Sequence, residues 1–528
     1  MTGEVEFNHH IRILFGEVGQ AGQLALHILV AGGNHLQFGH PATQCGQFAE
    51  HFSLLANGIL HIQFYPSPCG ACLNAIIWFA DHTNETQSEQ TTMSVKTFTL
   101  APPLAADRTL SPTLYINQRV KELWAAGEQV YHLGFGESRF PVHPKIRAAL
   151  IENVDARSYL PTLGIPELRA AVADFYTKQM GVEVTTERVI VAPGSKPLLY
   201  AFQMALAGDT ILPTPSWVSY APQARLLDRP VLHIPATPSD EHRLTADTLR
   251  RTLAQSSHDQ HILVLNSPSN PTGQMLGPEL LAEIAEVCRA TNTLVLSDEI
   301  YALTAHGHTP HVSIAHFYPE GTVVLGGLSK HLSLGGWRLG VAIVPTGLVG
   351  QQLLNAVAKI GGEIWSCVAA PVQHAAVAAY ADDPEILAYI AECTRLHTAR
   401  TQHFWRAISE LDIPCARPEG GFYLYPNFDG WREALAARSI HTSDDLARHL
   451  LDKWRIATLP GTAFGSPPEE LSLRLSSSYV DMERDEQAAS LLARHRAGVD
   501  ADALVRDHHP AMAGAIASLR SFLASLHE

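Results

Sequence analysis

Thr322-Val-Val-Leu-Gly-Gly-Leu-Ser-Lys330-His-Leu-Ser-Leu-Gly-Gly-Trp-Arg338-Leu-Gly-Val-Ala-Ile-Val344 reads as a strand, a glycine-rich loop and a second strand. Both flanks are apolar on both faces, the pattern of strands buried from two sides. Glycines in the connection let the backbone bend and come close to a ligand. Lys330 stands among apolar neighbours, where lost hydration favours the neutral, nucleophilic amine. Arg338, eight residues on, carries a planar fork that suits a phosphate. On its own such a run also suits a structural loop with solvated cations.

Upstream, short β-branched runs recur at Arg188–Ala192, Thr210–Leu212, Val231–Ile234, Ile262–Leu265 and Thr293–Leu296, and Val341–Val344 closes the series. Helical periods lie between some of them. Pro166–Met180 starts on proline and repeats apolar residues at Leu168, Val172, Phe175 and Tyr176, and Pro278–Ala290 follows the same style. Alternating strands and helices predict an α/β domain around a mostly parallel sheet, with ligands on the loops at the carboxyl ends of the strands. After about residue 375 the pattern changes. Helical stretches at Glu385–Leu411, Ser443–Trp454, Arg484–Ala497 and Ala511–Leu526 flank short strands near Gly421–Tyr425, Arg455–Thr458 and Leu471–Leu475. That reads as a smaller α+β domain.

Two further motifs follow strands. Asn266-Ser-Pro-Ser-Asn270-Pro-Thr-Gly273 is by its dipeptides a turn. Ser297-Asp298-Glu299-Ile300-Tyr301 puts an acid at a strand's end, which suits a cofactor site and equally a helix cap. Three such signals in order, each at a strand end, are far more specific than any one.

With their spacing from Asn270 through Asp298 and Lys330 to Arg338, they make the chain resemble the class I/II pyridoxal-phosphate-dependent aminotransferases of fold type I, from about Leu133 to Ser478. The resemblance implies a large domain with a seven-stranded, mostly parallel sheet between helices, plus a smaller α+β domain. It implies pyridoxal 5′-phosphate as cofactor, with Lys330 forming the internal aldimine and then moving the substrate α-proton. Asp298 matches the acid paired with the pyridine nitrogen, which keeps the ring protonated and a better electron sink. Tyr301 and Asn270 match the side chains that hydrogen-bond the ring O3′. Trp217, in Pro213-Thr-Pro-Ser-Trp-Val-Ser-Tyr220, matches the aromatic stacked on the ring. Gly194, Ser195 and Lys196, opening a helix after Arg188–Ala192, match the phosphate turn, joined by Ser329 and Arg338. Tyr159 matches a tyrosine that reaches the neighbouring subunit's phosphate, which implies a homodimer with shared active sites. Arg474, in Leu471-Ser-Leu-Arg474, matches the fork on the substrate α-carboxylate, near Gly136, and Trp217 and Asn270 also border the substrate.

The implied reaction moves the amino group of an amino acid to a 2-oxo acid. Lys196 matches a lysine that contacts the distal carboxylate in some aspartate-using members, so the expected donor is aspartate-like, with an aromatic donor as the competing reading. The same electron sink also serves a C–S lyase, an aminocyclopropane-type synthase or a racemase, and motifs do not separate these. Family members often have Pro-Asp where this chain has Ser138-Arg139, so Arg139 is either a specificity charge or a solvated one. Fifty-four residues follow Arg474, long for the family, and the stretch 497–510 reads as an insertion that covers the cleft or builds an interface.

The 528 residues are 46% apolar and 17% charged, enough for a sizeable core. A net charge of −15 disfavours nucleic acid and anionic membrane as partners. Seven cysteines exclude a disulfide scaffold and fit a reducing cytoplasm. No apolar run is long enough to span a membrane. Residues 1–92 stand apart. Arg12 is their only basic side chain besides eight histidines, and no helical or alternating period runs through them. Cys69 and Cys72 form a C-x-x-C pair near His61 and His82, short of the ligand pattern a structural metal asks for, so no metal is expected. A DNA-binding role for this segment is disfavoured by its lack of cations. The expected organisation is a disordered or spurious extension over 1–92, an N-terminal arm and part of the small domain over 93–138, a large cofactor-binding domain over 139–380 and a C-terminal small domain over 381–528.

Overall fold

A computed structural model describes residues 112–527 apart from residue 308, together with the backbone of six strands nearer the N-terminus. The chain divides into two units, Met1–Phe98 and Thr99–Glu528. In the first, β1 (Gly3–Phe7), β2 (Ile11–Phe15), β3 (Gln23–Val30) and β4 (Asn34–Pro41) pair in order as an antiparallel meander, and β5 (Ile59–Pro66) pairs with β6 (Leu73–Ala80). These strands are a departure from the sequence reading, which found no periodic element there; β3 is apolar almost throughout, so alternation does not show. Cys69, Cys72, His82 and residues 93–111 lie outside the described residues.

The second unit carries the expected strands within a residue or two of their expected bounds. They are β8 (Val189–Ala192), β9 (Asp209–Thr214), β10 (Val231–Pro235), β11 (His261–Asn266), β12 (Thr293–Asp298), β13 (Thr322–Gly327) and β14 (Gly340–Ile343), preceded by β7 (Tyr131–His132), which the sequence reading did not expect. Seven of them form one sheet in the order β10-β9-β11-β12-β13-β14-β8, with β14 antiparallel to both neighbours and the rest parallel. Successive residues of a strand feed different cores. Val189 and Val191 join Val324, Val341 and Ile343 in one cluster, while Ile190 and Ala192 join Val323, Leu325 and Ala342 in another. Both faces of the sheet are therefore buried, which is why the strands read as unbroken apolar runs rather than as alternation.

The helices Pro166–Met180 and Pro278–Ala290 have the predicted bounds. Each takes proline in its first turn, and Gly181 ends the former in the left-handed region at φ 65°. A second core gathers around β15 (Tyr423–Leu424), β16 (Ile456–Ala457), β17 (Leu459–Pro460) and β18 (Leu473–Ser476), with the helices Pro384–Ser409, Ser443–Trp454 and Pro510–Ser525. β7 pairs with β16, so a segment from before the large sheet completes this second core. The stretch 497–510 is no loose insertion. It forms the helix Ala501–His508, whose Leu504 and Val505 are buried and which packs on Pro384–Ser409. Among the described residues no helix is long and apolar enough to cross a membrane, and no cluster of ligating side chains suits a metal ion.

Candidate active site

Five strands of the large sheet end on one edge, and the loops that leave them carry the expected residues. β8 leads to Gly194, β9 to Trp217, β11 to Asn270, β12 ends on Asp298, and β13 leads to Lys330. Loops at carboxyl ends are where open α/β sheets bind ligands, because helix N-termini and free backbone groups converge there.

Asp298 is 3% exposed. Its Oδ2 accepts the Tyr220 hydroxyl at 2.7 Å, and its main-chain oxygen accepts Asn266 Nδ2 at 2.8 Å. Burial pushes its pKa up to about 6, against the downward pull of the Tyr220 and Ile300 hydrogen bonds and the Lys330 charge. Asn266 Oδ1 in turn accepts the Asn270 backbone N–H, so the turn after β11 is tied to the end of β12. Sequence reasoning quoted Tyr220 only as the end of the Trp217 motif; its place three residues on, at the start of a helix, is the signal that brings it back to the sheet edge.

Lys330 Nζ donates to the Gly136 carbonyl at 2.9 Å and lies 5.4 Å from the centre of the Tyr301 ring and 5.7 Å from that of Phe422. Tyr301 shares a 2.8 Å hydrogen bond with the hydroxyl of Tyr423. Burial, and then Tyr423, raise the Tyr301 phenol well above its ordinary pKa. Tyr423 is a site residue that sequence reasoning missed. A Cβ on Gly136 would stand 2.1 Å from its hydroxyl, so the glycine is needed there for space.

Arg474 extends from β18 into the same space. It is 2% exposed, lies over the Tyr423 ring at 4.9 Å, and donates to the Gly134 carbonyl and to Asn270 Oδ1 at 3.5 Å. Its Nε has no partner, and burial lowers its pKa with no carboxylate among the opposing charges. A buried cation left this way is costly unless an anion arrives.

At the other end, Gly194 takes φ 107°, and a Cβ there would meet Arg338 Nη2 at 2.4 Å. Arg338, itself at φ 53°, donates to the Gly335 carbonyl at 2.7 Å and is otherwise exposed. The backbone of Ser195 lies close behind, where a Cβ on Gly340 would touch its nitrogen. Ser329 is half-buried beside Gly335. A helix start with an arginine fork over it is a cradle for a dianion. Lys196 is exposed at its surface, with its amine 4.9 Å from the Trp217 ring; partial burial and the Arg338 and Lys330 charges lower its pKa. Arg139 is not free, since its Nη2 donates to Asp485 at 2.6 Å and Glu137 is 3.7 Å away. Tyr159 is 91% exposed and joins no other site residue of its own chain.

The sequence model of the family "Aminotransferase class I and II" matches residues 128–492. The chain is 33% identical to the aspartate aminotransferase of Geobacillus stearothermophilus over 72% of its own length and 95% of that enzyme's. It is 30% identical to a probable aspartate/prephenate aminotransferase of Aquifex aeolicus over 68% of this chain and 89% of that one. Among solved structures, the aspartate aminotransferase of Thermus thermophilus with maleate superposes at a TM-score of 0.66, with 25% identity over 76% of this chain and all of that one. A lysine at the end of a parallel strand, a buried acid one strand away, an anion cradle and an unpaired buried arginine thus stand on the fold of these relatives, and the chain belongs to the class I and II aminotransferases, a family of pyridoxal-phosphate enzymes.

Proposed function

We propose that the chain transfers the amino group of an aspartate-like amino acid to a 2-oxo acid, in a homodimer whose subunits share their sites. The observation that carries the reading is Arg474, a buried guanidinium with one nitrogen unpartnered beside Tyr423, Tyr301 and Asn270. A substrate α-carboxylate supplies the missing anion through a two-pronged contact.

The residues present fit pyridoxal 5′-phosphate. Gly194, Ser195, Ser329 and Arg338 would hold its phosphate, Asp298 its ring nitrogen, Tyr301 and Asn270 its ring hydroxyl, and Trp217 its face, with Lys330 at its carbonyl carbon. When bound, the group supplies the electron sink for a carbanion at the substrate α-carbon. The chain does the rest. Arg474 and the Gly134–Gly136 backbone orient the amino acid, and Lys330 Nζ takes the α-proton and returns one to the product. Asp298, held by Tyr220, keeps a negative charge opposite the ring nitrogen.

Lys196 supports the dicarboxylic class. Arg139, the other candidate charge, is committed to Asp485, whereas Lys196 has no carboxylate among its charge partners. A lysine beside Trp217 attracts a second carboxylate more than it does an aromatic ring. The dimer rests on Tyr159 and on Ile151 and Val154, which are exposed apolar side chains of one segment, 60% and 64% accessible.

The test is an absorbance titration of cofactor-loaded protein against a panel of amino acids. The expected outcome is loss of the visible band with aspartate and glutamate at the lowest concentrations, and its return on adding a 2-oxo acid. Preference for phenylalanine or tyrosine refutes the dicarboxylic assignment. Product release without any return of the band refutes transamination in favour of a lyase or synthase.

A further inference from the structure

Ser138 is 3% exposed and sits two residues beyond Gly136. Its hydroxyl meets two side chains at once, Ser333 Oγ at 2.5 Å and His397 Nε2 at 2.8 Å. Ser333 is three residues past Lys330 and holds φ 58°, a left-handed conformation that a serine keeps only when surrounding contacts fix it. His397 belongs to the long helix Pro384–Ser409, and its ring packs against Phe140 at 5.0 Å and Phe422 at 5.2 Å. Its main-chain oxygen accepts the Thr401 hydroxyl, which meets Ser477 Oγ at 2.8 Å, three residues beyond Arg474.

The proton order follows from what is left over. His397 Nδ1 is buried without a partner. A proton placed there would be an orphaned buried donor, so the proton is assigned to Nε2, which donates to Ser138 Oγ. The Ser138 hydroxyl is then free to donate to Ser333. Burial, and then the Arg400, His306 and Lys330 charges, keep the imidazole neutral.

Polar contacts hold the loop from Gly134 to Pro141 at five residues. Gly134 O accepts from Arg474, Gly136 O accepts from Lys330, Ser138 binds the lysine loop and the long helix together, Arg139 pairs with Asp485, and Pro141 O accepts the Tyr389 hydroxyl. The first two reach residues that the substrate engages and are lost or rearranged when it binds. Of the other three, Arg139 pairs near the surface and Tyr389 holds the far end of the loop, so Ser138 alone ties the loop to the lysine loop through a contact that no substrate-facing residue makes. We propose that Ser138 is a positioning residue, which through Ser333 and His397 fastens the Gly134–Pro141 loop to the lysine loop and keeps Gly134 and Gly136 in place to receive the amino acid. The proposal rests on the aminotransferase reading for its kinetic consequence but not for its structural one.

Two variants test it in the full-length, cofactor-loaded enzyme. Ser138→Ala deletes one oxygen without changing the packing volume much. Ser333→Gly suits the left-handed backbone, so it folds even if the first variant does not. Hydrogen–deuterium exchange of peptides spanning residues 131–142, and steady-state kinetics with the best amino donor, are measured for each variant and for the double variant. For Ser333→Gly, which loses one hydrogen bond, the expected result is exchange about fivefold faster in residues 134–141 and KM for the donor up about fivefold; Ser138→Ala, which loses two, shows at least as much, with kcat within about twofold in both. The double variant should be no worse than Ser138→Ala, because that variant already removes the contact with Ser333. Unchanged exchange in both single variants overturns the proposal, as does a fall in kcat with KM unchanged or a simple sum of the two effects. If exchange quickens while no amino donor is turned over, the fastening stands and the aminotransferase reading fails.

Discussion

Asp298 faces two demands that its surroundings set against each other. Burial drives its pKa up to about 6, and the Tyr220 hydroxyl holds it down. In the cofactor-free protein the side chain therefore gains a proton as the pH falls through about 6, whereas an exposed aspartate would do so near 4. A neutral carboxyl does not pair with a protonated ring nitrogen, so cofactor affinity should fall as pH drops from 7 to 5, by about tenfold per pH unit once below 6. Tyr220→Phe removes a hydrogen bond to the charged form and moves the transition to higher pH. Asp298→Asn abolishes the pH step and binds weakly throughout. Equilibrium titration of the apoprotein with pyridoxal 5′-phosphate, read by the visible band at each pH, checks all three; a step near pH 4 in the parent protein refutes the argument. At this scale sequence reading goes as far as the order and spacing of Asp298, Lys330 and Arg338 at successive strand ends, since each of them alone also suits a cap or a solvated loop. It misses Tyr423, Ser138 and His397 because their partners are far off in sequence. Ser138 is 195 positions from Ser333 and 259 from His397, separations that a local pattern cannot register.

Elements were readable wherever burial imposes a period. The seven strands of the large sheet and the helices Pro166–Met180, Pro278–Ala290 and Ser443–Trp454 follow from apolar patterning with proline starts or polar caps. The helix Ala501–His508 was not, because it is short and its sequence between Gly498 and Pro510 reads as punctuation. Its position explains how the C-terminal segment serves the site. Arg400 of the long helix is buried and donates to the main-chain oxygens of Ser478 and Val480, just past the strand that carries Arg474. Asp481 lies in the same turn, and its two carboxylate oxygens accept the N–H groups of Ala511 and Met512 at 2.8 Å each, at the start of the last helix. One acid thereby caps that helix and offsets the Arg400 charge. Asp481→Ala should lower unfolding free energy by about 2 kcal/mol, mostly the lost cap, because Glu483 still offsets part of the buried Arg400 charge. Asp481→Asn keeps one acceptor and should lose less. Urea unfolding followed by circular dichroism decides it, and a loss under about 0.5 kcal/mol in Asp481→Ala, the size of an ordinary surface change, shows that the capping contacts carry no weight.

For the whole molecule the decisive residue is Tyr159, the most exposed large side chain among the exposed apolar ones of the described residues. Tyr159 is aromatic and almost wholly exposed, close in sequence to exposed Ile151 and Val154, although the interior of this unit takes up nearly every other large apolar side chain. A site that borrows Tyr159 from its neighbour has a consequence that no single-chain site has. Lys330→Ala kills the site of its own subunit but leaves that subunit's Tyr159 available to the partner. Tyr159→Ala damages the partner's site but keeps an intact Lys330. In a mixed dimer of the two, one site has lost both groups and the other has both. Random association gives mixed dimers half the time, each with one intact site of two, so about a quarter of the parental sites return. The measurement is aminotransferase activity of the two variants co-expressed with different tags and purified through both, in which every dimer is mixed and about half the parental activity is expected. Homodimers of either variant serve as the baseline. If each site is built from one chain, the mixed dimer shows no more than the residual rate of Tyr159→Ala in half its sites, and the shared-site arrangement falls with it.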